Sequence, residues 1–276
     1  MGLRVTTNMP ALNAQRNLVN SQRAVQMSSA QLASGSRITK SADDAAGLAI
    51  SENMKSQIRS SVQARRNAND GISLVQTAEG GLSETSNIIT RMRELAIQSS
   101  SDTVGEKERD MIDKEVQQLK AEVQRISETT TWNSTKLLDG STPVFDFQVG
   151  LNSTDNDRIQ FDSSVNVTTL DGLGITDLDY TQKETARGSL VALDSAQTLV
   201  NGMRANLGAL QNRLVSTTDT LAVSEENLAA ANSRIRDTDV ASSSTEMARN
   251  NLMLQTGVAT LAQANQNGQL ALKLIG

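Results

Sequence analysis

Residues 193–235 read LDSAQTL VNGMRAN LGALQNR LVSTTDT LAVSEEN LAAANSR I, and this stretch decides the fold. Leu193, Val200, Leu207, Leu214, Leu221, Leu228 and Ile235 return at strict seven-residue steps. Three places after each of the first six stand Ala196, Met203, Leu210, Thr217, Ser224 and Ala231. Such a repeat keeps both tracks on one side of a helix and makes them the seam of a coiled coil. Small residues on the second track let a neighbouring helix approach closely. A single helix lying on a globular core rarely runs this far.

Working outward, a second long run spans about 43–98, with Val75, Ala78, Leu82, Ile89, Met92 and Ala96 on one stripe. Gly80-Gly81 interrupts it and predicts a local bend or a close contact, since two glycines in a helix cost about 1–2 kcal/mol. A third run carries Ile112, Val116, Leu119, Val123 and Ile126. Thr103 with Glu106, Thr181 with Glu184, and the acidic Ser41–Asp44 stretch read as helix starts, where a side-chain oxygen satisfies an orphan amide. At the ends, Ala11, Leu18, Val25 and Leu32 mark residues 4–34, and Met247, Leu254, Val258, Leu261, Leu272 and Ile275 mark residues 242–275. Both stripes are too thin to bury themselves, so the two segments are expected to order only against a partner.

The middle differs. Residues 144–149 and 158–162 alternate weakly around a stretch rich in turn formers, which predicts a β-hairpin with a long loop. Residues 170–175 read as a loop leading into the return helix. As helices, 43–98 and 184–235 would span about 84 and 78 Å. Outer run pairs with outer run and terminal with terminal, giving a mainly α rod of long antiparallel coiled-coil helices. The expected organisation is a terminal coiled-coil domain (1–40 and 237–276), a helical rod domain (41–138 and 184–236) and a hairpin region (139–183).

Composition narrows function. The 276 residues are 37% hydrophobic but 2% aromatic, and all five aromatics lie between Trp132 and Tyr180, so the remaining core is aliphatic, as helix-on-helix packing prefers. With no His and no Cys, disulfides, thiol nucleophiles, His bases and ordinary zinc sites are excluded. Phosphate loops and nucleophile motifs are absent, which predicts no enzyme, no cofactor and no metal. The first 42 residues hold Arg4, Arg16, Arg23, Arg37 and Lys40 without an acid. Without aromatic interleaving this reads as a polar helix face, not a nucleic-acid arm or transit peptide. No apolar run is long enough for membrane insertion, and none at the start suggests a cleaved signal. Asp43-Asp44 suits a helix start, and Asp155 with Asp157 a solvated loop. The triplets at Asn133, Asn152 and Asn166 are attributed to chance.

Ala33-Ser34-Gly35-Ser36-Arg37-Ile38, Ala42-Asp43-Asp44-Ala45-Ala46-Gly47-Leu48-Ala49-Ile50, residues 66–80 and Met92-Arg93-Glu94-Leu95-Ala96-Ile97-Gln98 resemble the N-terminal signature of bacterial flagellin. Glu226-Asn227-Leu228, residues 233–239 and Leu261-Ala262-Gln263-Ala264-Asn265-Gln266 resemble its C-terminal signature. The chain departs from the family at Asn267-Gly268, where a proline is common, and at its Leu274-Ile275-Gly276 ending. The resemblance covers nearly the whole chain and implies a minimal filament subunit with inner domains only. It also implies unfolded export without a cleaved signal, assembly at the distal tip, and an extracellular location. Implied partners are other copies of the chain, the filament cap, the hook–filament junction protein, an export chaperone and the flagellar export apparatus. The polymerisation interface is then expected at Leu18, Val25, Leu32, Leu254, Val258, Leu261 and Leu272. A vertebrate flagellin receptor would, by the same resemblance, meet Arg91, Leu95 and Glu122, with Thr90 where the family often has Gln. Glycans would fall on Ser153, Thr154, Ser163 or Ser164. Two rivals stay open: a junction protein that caps instead of propagating, and a secreted enzyme or adhesin on a helical stalk. Seeded growth separates the first, and the short middle segment leaves little room for the second.

Overall fold

A computed structural model describes residues 7–141 and 144–273, with the side chains of the final helix as far as Gln266. The elements run α1 (Met9–Ser34), α2 (Ala45–Ser99), α3 (Glu106–Thr129), β1 (Thr131–Trp132), β2 (Thr135–Lys136), β3 (Phe145–Gln148), β4 (Arg158–Phe161), α4 (Leu170–Leu173), α5 (Lys183–Arg236) and α6 (Val240–Lys273). The chain divides into two compact units, 59–226 and the pair of ends 1–58 with 227–276. The divisions fall inside α2 and α5, which run on unbroken.

In the unit 59–226, the seven-residue track of α5 is the core. Leu193, Val200, Leu207 and Leu214 are buried to 1% exposure or less, and Ala196 sits fully buried beside them. They pack with Leu74, Leu82, Ile89 and Met92 of α2 and with Val116 and Val123 of α3 in one continuous cluster. β3 and β4 pair antiparallel, Phe145 opposite Phe161, with their rings tilted and 5.9 Å apart. Phe161 is buried with Ile159, so the hairpin closes over the helices.

The predicted hairpin is therefore present, with a single 3-10 turn at Asp155–Asp157 in its loop, but other small elements escaped the sequence reading. β1 and β2 form a second hairpin whose turn residues, Asn133 and Ser134, both take positive φ. That turn matches the natural strand twist without glycine. The expected loop at 170–175 contains the one-turn helix α4, capped by the Thr169 oxygen on the Gly172 amide and by left-handed Gly174.

Two expected helix starts are corrected. α3 is capped at Gly105 without a side-chain bond, and the Thr103 hydroxyl pairs with Ser101 instead. α5 begins at Lys183, one residue past the position that a Thr181 cap requires. At the third, Asp44 accepts from the Gly47 amide at 2.8 Å, as an N-cap does. Gly81 meets the close contact expected of the glycine pair: a Cβ there would lie 2.7 Å from Leu138 and 2.8 Å from Thr130, whereas Gly80 faces open space.

Candidate self-association surface

The unit formed by the chain ends is built on α1 and α6. α1 starts where the Asn8 side chain accepts from the Ala11 amide, with Pro10 in the first turn. The two helices run antiparallel. The Asn8 side-chain amide donates to the Ala264 carbonyl, Leu18 lies beside Gly257, and Ser36 bridges Asp237. On α6, Ser243, Met247, Asn250, Leu254, Gly257, Leu261 and Ala264 are the buried or half-buried positions. Their alternating steps of four and three mark a coiled-coil seam.

This seam holds most of the sequence-predicted interface. Leu18, Val25, Leu32, Leu254 and Leu261 are half-buried along it, so part of their apolar surface is already covered within one chain. Val258 remains 58% exposed on its flank. Leu272 lies outside the described side chains.

A second apolar set, missed by the seven-residue reading, points away from the seam. On α1 these are Leu12, Val19 and Met27, at 47, 38 and 47% exposure. Arg16 and Arg23 fall on the same stripe by helical spacing. Together with Gln15, Leu12, Val19 and the two arginines line a shallow groove. No carboxylate among the described residues pairs with either arginine. On α6, Leu252 faces directly away from the seam, and Met253 and Val258 flank it. The missed signal was the Leu12–Val19 step, a seven-residue pair lying one place after Ala11 and Leu18. An apolar stripe left in water on a marginal two-helix pair favours association.

The patch assigned by resemblance to receptor contact belongs to the other unit. Arg91 is exposed and bridges Glu115 at 2.9 Å and Glu94 at 3.0 Å, bonds that raise its pKa, Glu115 first. Arg93 points elsewhere and pairs with Asp194 at 2.7 Å. Glu122 is held by Arg125 at 2.6 Å, which lowers the Glu122 pKa. Leu95 is different: it is 2% exposed inside the core. The structure thus brings Arg91 and Glu122 to the surface but withdraws the Leu95 side chain. Ser163 is likewise fully buried, which removes it from the glycan candidates.

Residues 5–142 match the family model described as the bacterial flagellin N-terminal helical region. Residues 190–275 match that of the C-terminal helical region. A flagellin of Halalkalibacterium halodurans is 45% identical over 274 residues, covering 98% of this chain and 99% of the relative. The flagellar filament 33 kDa core protein of Treponema phagedenis is 39% identical over 287 residues, covering 98% and 99%. The crystal structure of Bacillus cereus flagellin superposes with a TM-score of 0.51 at 30% identity, covering 60% of this chain and 94% of that one.

Proposed function

The chain belongs to the bacterial flagellin family and is a structural subunit of the flagellar filament, not an enzyme, and we propose that it polymerises through the outward faces of α1 and α6. The observation that carries this is the exposed stripe of Leu12, Val19 and Met27 with Arg16, which donates to the Asn13 side-chain oxygen, and Arg23 lining the same groove. One copy's stripe meets a different surface of the next, a heterologous contact that does not close and so generates a helix of subunits. Glu246, exposed on α6, offers an opposite charge. In the free subunit the terminal pair, polar along much of its seam, is only marginally ordered. Burial against neighbours completes its folding and couples polymer stability to subunit order.

On this reading the ends 1–40 and 237–276 form the inner tube of the filament. Residues 41–138 and 184–236 form the shell around it, with 139–183 as a hairpin region. The subunit leaves the cell unfolded through the flagellar export apparatus, attended by an export chaperone. It is added at the distal tip beneath the cap, beyond the junction protein, and resides outside the cell. A vertebrate receptor would find Arg91 and Glu122 on the surface, but not the Leu95 side chain. Removing residues 1–35 or 242–276 tests the central claim. The shortened chains should stay soluble, keep the Trp132 environment and fail to polymerise. Long filaments from either would refute it. Full-length protein should elongate filament seeds, which a capping junction protein would not do.

A further inference from the structure

Among the described residues one side-chain hydrogen bond crosses the α1–α6 seam, from Asn8 to the Ala264 carbonyl, and the packing between the two helices specifies the register only weakly. Ser21, Ser28 and Gln31 on α1 face a helix carrying Ser243, Asn250 and Gly257 on its seam, so few large side chains interlock. Both stripes repeat every seven residues. Sliding one helix by a repeat, about 10 Å, sets Leu18 beside Asn250 or Ala264 in place of Gly257 and still leaves it between positions of the same seven-residue stripe. The denser set of bonds lies at the opposite end of the pair, where α1 stops and α6 starts.

We propose that the hydrogen-bonded junction around Arg37 sets the register in which the two chain ends pair. Gly35 ends α1 in the left-handed region, at φ 67°, a conformation that glycine adopts without the steric cost an L side chain adds. Its carbonyl accepts from the Thr238 amide at 3.0 Å. The next residue, Ser36, forms the isolated bridge to Asp237. Arg37 then engages the last turn of α5 twice: its amide donates to the Arg236 carbonyl at 2.6 Å, and its guanidinium donates to the Ile235 carbonyl at 2.7 Å. These carbonyls lack helical partners at a helix end, where a cation is also favoured.

Arg37 reaches the other way as well. Its carbonyl accepts from the Gln31 side chain at 2.9 Å, and Gln31 is buried on the α1 seam. α6 starts only three residues beyond Asp237. Asp239 caps it through the Ala241 amide at 2.9 Å, and Thr238 and Ser243 hydroxyls bond at 2.9 Å. The end of α1, the end of α5 and the start of α6 are thereby tied together within one knot of bonds. Arg37 is a positioning residue: it touches neither outward stripe, yet it determines which residues of α1 stand opposite which residues of α6.

The absence of cysteine makes this directly measurable. A Cβ at Gly257 would lie 3.9 Å from that of Leu18, within the range of a disulfide. The paired substitution Leu18→Cys with Gly257→Cys reads the native register. Leu18→Cys with Asn250→Cys, or with Ala264→Cys, reads slips of one repeat. Full-length chains grown on filament seeds are mildly oxidised and run on a non-reducing gel, where intrachain bonds separate from interchain ones. In the parent only the native pair should close. In Arg37→Met the ratio of slipped to native intrachain bonds should rise by about tenfold or more, the scale of a lost charged hydrogen bond. Arg37→Lys should lie between.

Trp132 fluorescence, which reports the other unit, should not change. If Arg37→Met fails to grow on seeds, closing the Leu18–Gly257 disulfide beforehand should restore growth. The proposal is overturned if Arg37→Met retains the native pair alone. Equal loss of all three pairs, or failure of the pre-formed disulfide to restore growth, also overturns it. Growth on seeds is scored separately, so a chain that never polymerises in its unsubstituted form would refute the filament reading instead.

Discussion

Replacing Leu12 and Val19 together by serine should weaken polymerisation and leave the isolated subunit intact. The two side chains are 47 and 38% exposed in one chain. Burying an aliphatic side chain fully is worth about 1.5–3 kcal/mol. The exposed share therefore leaves about 0.6–1.4 kcal/mol each to be gained against a neighbour. The pair together contributes about 1–3 kcal/mol, which raises the concentration of soluble subunit left at equilibrium about 5- to 150-fold. Both residues lie opposite the α1–α6 seam and outside the buried core, so the substitutions should leave the fold of the single subunit in place. The assay grows filaments from seeds, sediments them, and measures the protein remaining in the supernatant. A residual concentration within about twofold of the parent would refute the reasoning. So would a matching loss of helical signal in the soluble subunit, because the effect would then be on folding.

In the unit 59–226, Leu207→Ala removes a side chain 1% exposed and should cost about 2–5 kcal/mol. This is seen as a lower midpoint in Trp132 fluorescence on heating, and an unchanged midpoint would contradict the assigned core. Gly80→Ala adds a methyl to open space in a helix and should stabilise by about 0.5–1 kcal/mol. Gly81→Ala should lose that gain to the contacts with Leu138 and Thr130, so equal melting temperatures would count against the packing described. Stability should be nearly flat between about pH 5 and 8, since the chain has no His. Hydrogen bonds from Thr39 and Lys40 lower the pKa of Asp43 below 3.8, and Lys183 does the same for Asp102. Arg125 lowers that of Glu122 below 4.5. A depressed carboxylate contributes in full above its ordinary value and loses that contribution as pH falls through the folded one. Denaturant midpoints should therefore fall only below about pH 4.5, and a marked fall between pH 8 and 5 would contradict these assignments.

The long helices were legible because periodicity is a local property repeated many times. Seven spaced aliphatics from Leu193 to Ile235 outweigh any single misread residue, and α5 runs Lys183–Arg236 as that count implies. Helix starts were less legible. Thr103 and Thr181 carry the right oxygen, but whether a hydroxyl caps depends on a backbone turn that competing bonds, such as that between Thr103 and Ser101, can redirect. β1 and β2 escaped because two-residue strands carry no pattern. Leu95 shows the limit most plainly: its neighbours Arg91 and Glu94 are surface residues, and only packing decides that Leu95 turns inward to 2% exposure.

The amino-acid order alone fixed the helical class, the aliphatic core, the central hairpin and the exclusion of thiol and imidazole chemistry, because each follows from residue type and spacing along one chain. The tertiary structure alone decided which apolar stripe of α1 is spent on α6 and which is left for another copy. Two stripes one residue apart, Ala11–Leu18 and Leu12–Val19, look alike in sequence. Only the partner helix, aligned through Arg37, covers the first and leaves the second in water.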